Sequence, residues 1–205
     1  MTFILGLTGG IATGKSTVSN YLAQKGIPIV DADVGAREVV EPHSEGLRRI
    51  VELFGKEILL EDGSLNRKRL GELVFSQEKK RQLLNASLHD LIREWIQTKT
   101  KSFIEKGFPL IVWDIPLLYE ANYRMDCDAV MVVYAPEALQ IQRLMDRNKL
   151  TLEQAENRIH SQMSIEEKRL KADILINNSG SIESTYLQLD SWLKENASLL
   201  EEAGK

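Results

Sequence analysis

An apolar run, Thr2 to Leu7, leads directly into Gly9-Gly10-Ile11-Ala12-Thr13-Gly14-Lys15-Ser16, and a helical pattern (Val18, Tyr21, Leu22) follows at once. A strand, a loop of the form G-x-x-x-x-G-K-[ST] and a helix, in that order, leave few folds open. Glycine at positions 9 and 14 permits backbone angles that turn successive N–H groups inward, making a concave nest for phosphate oxygens. A helix starting near Lys15 adds the positive end of its dipole. In such a loop the lysine neutralises charge on the β- and γ-phosphates and the hydroxyl after it ligates Mg²⁺, so Lys15 and Ser16 are expected in those roles. The loop predicts a nucleoside triphosphate and phosphoryl chemistry, and is silent on the acceptor.

The remaining pattern agrees with an α/β fold. Short apolar runs at Thr2–Leu7, Ile27–Asp31, Leu110–Ile115, Ala129–Tyr134 and Ile174–Asn177 alternate with longer helical stretches, which predicts crossover units around a mostly parallel sheet. The run Gln77–Lys106 places Leu84, Leu88, Leu91, Ile92, Trp95 and Phe103 on one apolar stripe. Thr151-x-x-Gln154 and Ser164-x-x-Glu167 read as capping boxes, and Pro136 suits the first turn of a helix through Asn148. Ala32 to Pro109 holds no convincing strand and is too long for a simple crossover, so a helical subdomain laid over the sheet edge is expected there.

Carboxylates at strand ends are the next candidates, because parallel sheets gather ligands there. Asp31 and Asp33 close the second strand: either could accept a hydroxyl proton or orient Mg²⁺, with Asp33 favoured as base, and either could simply cap the next helix. Asp114, ending the third strand, is placed to reach Mg²⁺ through water. Arg143 and Arg147 share a helix face. Residues 143–171 carry seven basic and five acidic side chains in a chain of net charge −4, and Arg158, Lys168, Arg169 and Lys171 complete that basic stretch. It reads as a mobile lid whose arginines close over phosphates, or else as a solvated helical face.

Composition sets the exclusions. At 205 residues the chain suits one domain with an insert. Its mild acidity argues against nucleic-acid binding, and no apolar run is long enough to span a membrane. The start lacks a cationic region before Lys15, so no signal peptide is expected. One cysteine, Cys127, rules out an internal disulfide and suits a reducing, cytoplasmic setting; it is expected to be a small buried residue. A GTPase is unlike this chain: Asn148-Lys149-Leu150-Thr151 has Thr where guanine reading needs Asp, and D-x-x-G is absent. From the residues alone, a kinase for another small molecule and a nucleotide-dependent switch stay open.

With these residues assembled, the sequence resembles the dephospho-CoA kinase family over about residues 3–200. The likeness is carried by LGLTGGIATGKST at 5–17, IVDADVGAREVVEP at 29–42, DGSLNRKRLGELVF at 62–75, WDIPLLYE at 113–120, QRLMDRN at 142–148 and QMSIEEKRLKADILINNSGS at 162–181. The resemblance implies ATP-dependent phosphorylation of the ribose 3′-hydroxyl of dephospho-CoA, the last step of coenzyme A synthesis, with Mg²⁺. It implies a P-loop, nucleoside-monophosphate-kinase-like three-layer fold. That fold has a five-stranded parallel core (1–31, 108–140, 172–205), a helical CoA-binding insert (about 32–107) and a lid (about 141–171), in a monomer or weak homo-oligomer. It also implies residue roles. Gly9, Gly10, Ala12, Thr13, Gly14, Lys15, Ser16, Thr17, Asn177 and Asn178 would hold ATP. Lys15, Asp33, Arg143 and Arg147 would be catalytic, Asp31, Asp33, Arg37 and His89 would meet the acceptor, and Ser16 and Asp114 would serve the metal. Two positions depart from the family: Asp90 follows His89 where proline is general, and His43 follows Glu41-Pro42 where glycine is usual.

Overall fold

The computed structural model describes residues 2–75 and 77–197; the stretch 198–205, counted with the core by the resemblance, lies outside the described residues. Five parallel strands form one sheet: β1 (Phe3–Gly9), β2 (Ile29–Asp31), β3 (Leu110–Asp114), β4 (Ala129–Tyr134) and β5 (Ile174–Asn177), in the order β2-β3-β1-β4-β5. Leu5 of β1 faces Val112 of β3 on one side and Ala129 of β4 on the other. All of β3 and the middle of β4 are buried, as continuous apolar runs demand in a sheet covered on both faces.

The chain forms two compact units, one of residues 1–30 with 102–205 and one of residues 31–101. In the first, α1 (Lys15–Gln24) and α9 (Ile182–Glu195) cover one sheet face, where Val18, Leu22 and Leu189 join Leu5, Leu7, Val112 and Met131 in a buried cluster. β2 begins two residues later than its apolar run. Gly26 (φ 82°) and the Ile27 N–H, which donates to the Leu22 carbonyl, are spent closing the end of α1. Opposite, a Cβ on Gly6 would lie 2.6 Å from Leu118 and 2.9 Å from the Cys127 sulfur. Cys127 is buried as expected, and burial pushes its thiol up to about 12. The helices α6 (Glu137–Asn148), α7 (Leu152–Ile159) and α8 (Ile165–Leu170) follow, α6 and α7 meeting through Leu144, Ala155 and Ile159. Both capping boxes form, at Thr151/Gln154 and Ser164/Glu167, because their geometry depends on four adjacent residues alone.

The second unit is helical: α2 (Ala32–Glu38), α3 (Glu45–Phe54), α4 (Arg67–Phe75) and most of α5 (Glu78–Glu105), with an antiparallel bridge from Leu59 to Leu65. Its core gathers Val40, Leu47, Ile50, Ile58, Leu70 and Leu88, with Leu84, Leu91 and Ile92 from the predicted stripe packed against them. Asp90, one of the two departures, accepts two hydrogen bonds from Arg49 of α3 at 2.8 and 2.9 Å. His43, the other, sits at φ 69°, just before the Ser44 cap of α3. A left-handed backbone disfavours any side chain with a Cβ, so His43→Gly is expected to raise unfolding stability by about 0.5–1 kcal/mol. Urea denaturation measures it; an unchanged or lower midpoint contradicts the strain. Among the described residues no helix is long and apolar enough to cross a membrane.

Candidate active site

Strand order reverses around β1: the chain leaves it for β2 and β3 on one side and for β4 and β5 on the other. The crevice at the carboxyl ends of such strands is where open parallel sheets take ligands. Residues 10–14 fill that position, between β1 and α1.

Left-handed backbone occurs at Ala12 (φ 61°) and Gly14 (φ 91°), on either side of Thr13, which bends the loop into a nest. The expectation that Gly9 would need an unusual angle is corrected: Gly9 is the last residue of β1. Glycine is required there for space, since a Cβ would lie 2.6 Å from Thr13 Oγ1 and 2.8 Å from the Val133 carbonyl. Gly10 has the same reason, a Cβ falling 2.5 Å from Gln140 Oε1. The helices α2, α3, α7, α8 and α9 each start with a side-chain cap from Asp31, Ser44, Thr151, Ser164 or Ser181. By contrast α1 has no side-chain cap at Gly14, as α6 has none at Pro136. The Thr17 N–H turns back to the Gly14 carbonyl, and the N–H groups of Lys15 and Ser16 stand at the helix start, where an anion binds.

Buried polar side chains hold the loop from behind. Thr13, fully buried, donates from Oγ1 to the Gly10 carbonyl at 2.9 Å. Asn178 Nδ2 donates to the Thr13 carbonyl at 2.7 Å, and Thr185 Oγ1 donates to Asn178 Oδ1 at 2.8 Å. The Asn178 amide therefore braces the loop from behind, a support that its expected place beside ATP did not include. Asn177 is exposed and accepts from Ser179 at 2.7 Å. Gln140, buried on α6, donates to the Ala135 carbonyl at 2.9 Å.

Lys15 is ion-paired with Asp114 at the end of β3; the lysine side chain is 19% exposed and the carboxylate 5%. The sequence placed these groups separately, one on the phosphates and one toward the metal, and the fold joins them. Arg143 of α6 is half-buried and donates to the Asn178 carbonyl at 2.9 Å, beside the loop's brace. Arg147, one turn on, is exposed and donates to Asn148 Oδ1 at 2.8 Å. Ser16 is exposed in the first turn of α1, and the Thr17 N–H returns to the Gly14 carbonyl at 2.9 Å.

Lys168 departs furthest from the sequence reading. Counted among the lid's basic residues, it is fully buried. Its ammonium meets the Pro116 carbonyl at 3.0 Å, the Gly9 carbonyl at 3.3 Å and Glu120 Oε1 at 3.0 Å. Burial pushes its pKa below the ordinary value; Glu120 pulls it back up and the nearby charge of Lys15 adds to the fall. One signal was present in the sequence: Lys168 is three residues from buried Ile165, on the same helix face. Glu120, Gln140 and Thr185 were also missed as supports, since nothing local marks them.

In the second unit, Asp31 caps α2, its Oδ1 accepting from the N–H of Asp33 at 2.7 Å and of Val34 at 3.3 Å. Asp33 and Arg37 are exposed and four apart on α2, so they share a face. His89 is half-buried on α5. Among the described residues no three His, Cys, Asp or Glu side chains cluster to hold a metal. The two oxygen donors expected from the sequence, Ser16 and Asp114, would suit a hard cation that arrives with phosphate oxygens rather than a caged ion.

A profile of the dephospho-CoA kinase family matches residues 3–184. The chain is 49% identical to a dephospho-CoA kinase from Enterococcus faecalis, over 95% of this chain and 98% of that one. It is 48% identical to one from Listeria monocytogenes, over 93% and 95%. Among solved structures it is similar to the dephospho-CoA kinase from Campylobacter jejuni, with a TM-score of 0.74 at 30% identity, covering 97% and 98%.

Proposed function

The chain belongs to the dephospho-CoA kinase family, and from that premise we propose that it transfers the γ-phosphoryl group of ATP to the ribose 3′-hydroxyl of dephospho-CoA, giving CoA and ADP. The observation that carries this reading at the site is the uncapped start of α1 behind a left-handed nest, with Lys15 at its mouth. N–H groups fixed in place before the reaction stabilise phosphate charge without reorganising when it develops.

Transfer is in line and direct, with no phosphorylated enzyme. Lys15 exchanges Asp114 for the phosphates, and its ammonium balances charge on the β- and γ-oxygens. The hydroxyl of Ser16 and the carboxylate of Asp114 would hold Mg²⁺, which when bound supplies further neutralisation of phosphate charge. Asp33 takes the proton of the attacking hydroxyl; Asp31 is the weaker candidate for that role because one of its oxygens is occupied by the α2 cap. Arg143 and Arg147 approach the transferring group from α6, while Arg37 and His89 meet the acceptor. Asn177 and Asn178 stay beside ATP, and Asn178 also acts through the loop that it braces. The lone buried cysteine supports a cytoplasmic setting; a monomer or weak homo-oligomer is the proposed state.

Labelled ATP, offered with dephospho-CoA, nucleoside monophosphates and shikimate in parallel, tests the reading. Label is expected on dephospho-CoA at a rate at least about 100-fold above the other acceptors. Transfer to one of the others with none to dephospho-CoA refutes it.

A further inference from the structure

Three donors of a lysine ammonium can satisfy three acceptors, and Lys168 has that number around it with no exposure to solvent. Two of the acceptors are backbone carbonyls at telling positions. Gly9 is the residue at which β1 turns into the phosphate loop, and Pro116 lies two residues past Asp114. Thr8, also fully buried, donates to the same Pro116 carbonyl at 3.0 Å, and the Ile115 N–H donates to the Leu7 carbonyl at 3.0 Å. The ends of β1 and β3 are thus clamped together just below Lys15 and Asp114. Glu120, the third acceptor, also accepts from the Met163 N–H at 3.1 Å, so the carboxylate ties the segment before α8 to the same clamp.

We infer that Lys168 is a positioning residue for phosphoryl transfer. Its buried ammonium sets the phosphate loop against the end of β3, and so fixes where Lys15 and the loop amides stand relative to Asp114. The inference rests on the kinase reading above. A buried charge is a poor way merely to anchor a six-residue helix, because an apolar side chain of similar volume serves that purpose as well or better. Its value lies in what it reaches: one carbonyl at the end of β1 and one just past the end of β3, which no apolar group could hold together. The nest itself is shaped by Ala12, Gly14 and the Asn178 brace, whereas Lys168 bonds the Gly9 and Pro116 carbonyls, so nucleotide affinity and catalytic alignment rest on different hydrogen bonds. A misplacement of about 1 Å is enough to cost a reaction about 100-fold.

The test compares wild type, Lys168→Met and the double variant Lys168→Met/Glu120→Gln. It measures kcat with ATP and dephospho-CoA, ADP affinity by calorimetry, thermal midpoint, and amide exchange over residues 9–17. The single variant strands the Glu120 carboxylate, so a lower midpoint is expected; the double variant removes that charge and is expected to recover most of it. In both, kcat is expected to fall about 10–100-fold while ADP affinity stays within about threefold, and loop amides exchange faster. If the double variant keeps kcat within about threefold of wild type, with loop exchange unchanged, Lys168 is only a structural anchor and the inference fails. Should the single variant not fold, the double variant decides. A wild-type protein that does not phosphorylate dephospho-CoA would overturn the kinase reading instead, and the exchange and ADP measurements would still judge the clamp.

Discussion

Lys15→Ala is expected to lower kcat/KM for phosphoryl transfer about 100- to 1000-fold, equivalent to about 3–4 kcal/mol of transition-state stabilisation. The loss should appear mainly in kcat, because charge on the transferring oxygens is what the ammonium meets, while the loop amides continue to hold the nucleotide. From the sequence, a lysine on a loop would be removed at no cost to the fold. The ion pair with Asp114 changes that expectation. The carboxylate is 5% exposed, and losing its cation removes the counter-charge from a buried anion. Lys15→Ala should therefore also lower the thermal midpoint, and adding Asp114→Asn should restore stability without restoring turnover. Steady-state kinetics and a thermal melt on both variants separate the two effects. Turnover near wild type in Lys15→Ala refutes its assignment.

Asp33→Asn is expected to lower kcat about 100- to 10,000-fold, the span typical of losing a positioned general base, with folding stability unchanged. The absence of a stability cost follows from the division of labour on α2. Asp31 supplies the cap, and Asp33 lies exposed in the first turn, so its charge is not needed to start the helix. Asp31→Ala is the counterpart: loss of the cap should cost about 1 kcal/mol of stability. A denaturation curve and kcat for each variant decide the matter. If Asp33→Asn keeps its turnover and Asp31→Asn, which retains the cap, loses it, the base has been assigned to the wrong carboxylate.

Much of this protein is local and was readable as such. The capping boxes at Thr151 and Ser164, the strands Ala129–Tyr134 and Ile174–Asn177, and the stripe on α5 are each decided by a few neighbouring side chains. The glycine loop announced phosphate chemistry for the same reason, although the left-handed angle expected at Gly9 belongs to Ala12. The structure adds most where two distant segments meet. Asn178, expected beside ATP, also places its amide on the Thr13 carbonyl, 165 residues away in the chain. Lys168, read from the sequence only as one of a basic stretch, has its ammonium buried against Gly9 and Pro116.

Residue type and spacing alone determined that a strand, a phosphate nest and a helix stand in series, because backbone angles and helix dipoles act over a few residues. Tertiary structure alone decided which charges are spent and which remain available. Only when β1, β3 and α8 are brought together does water leave Lys168 and Asp114, and a charge without water must find its partner in the fold.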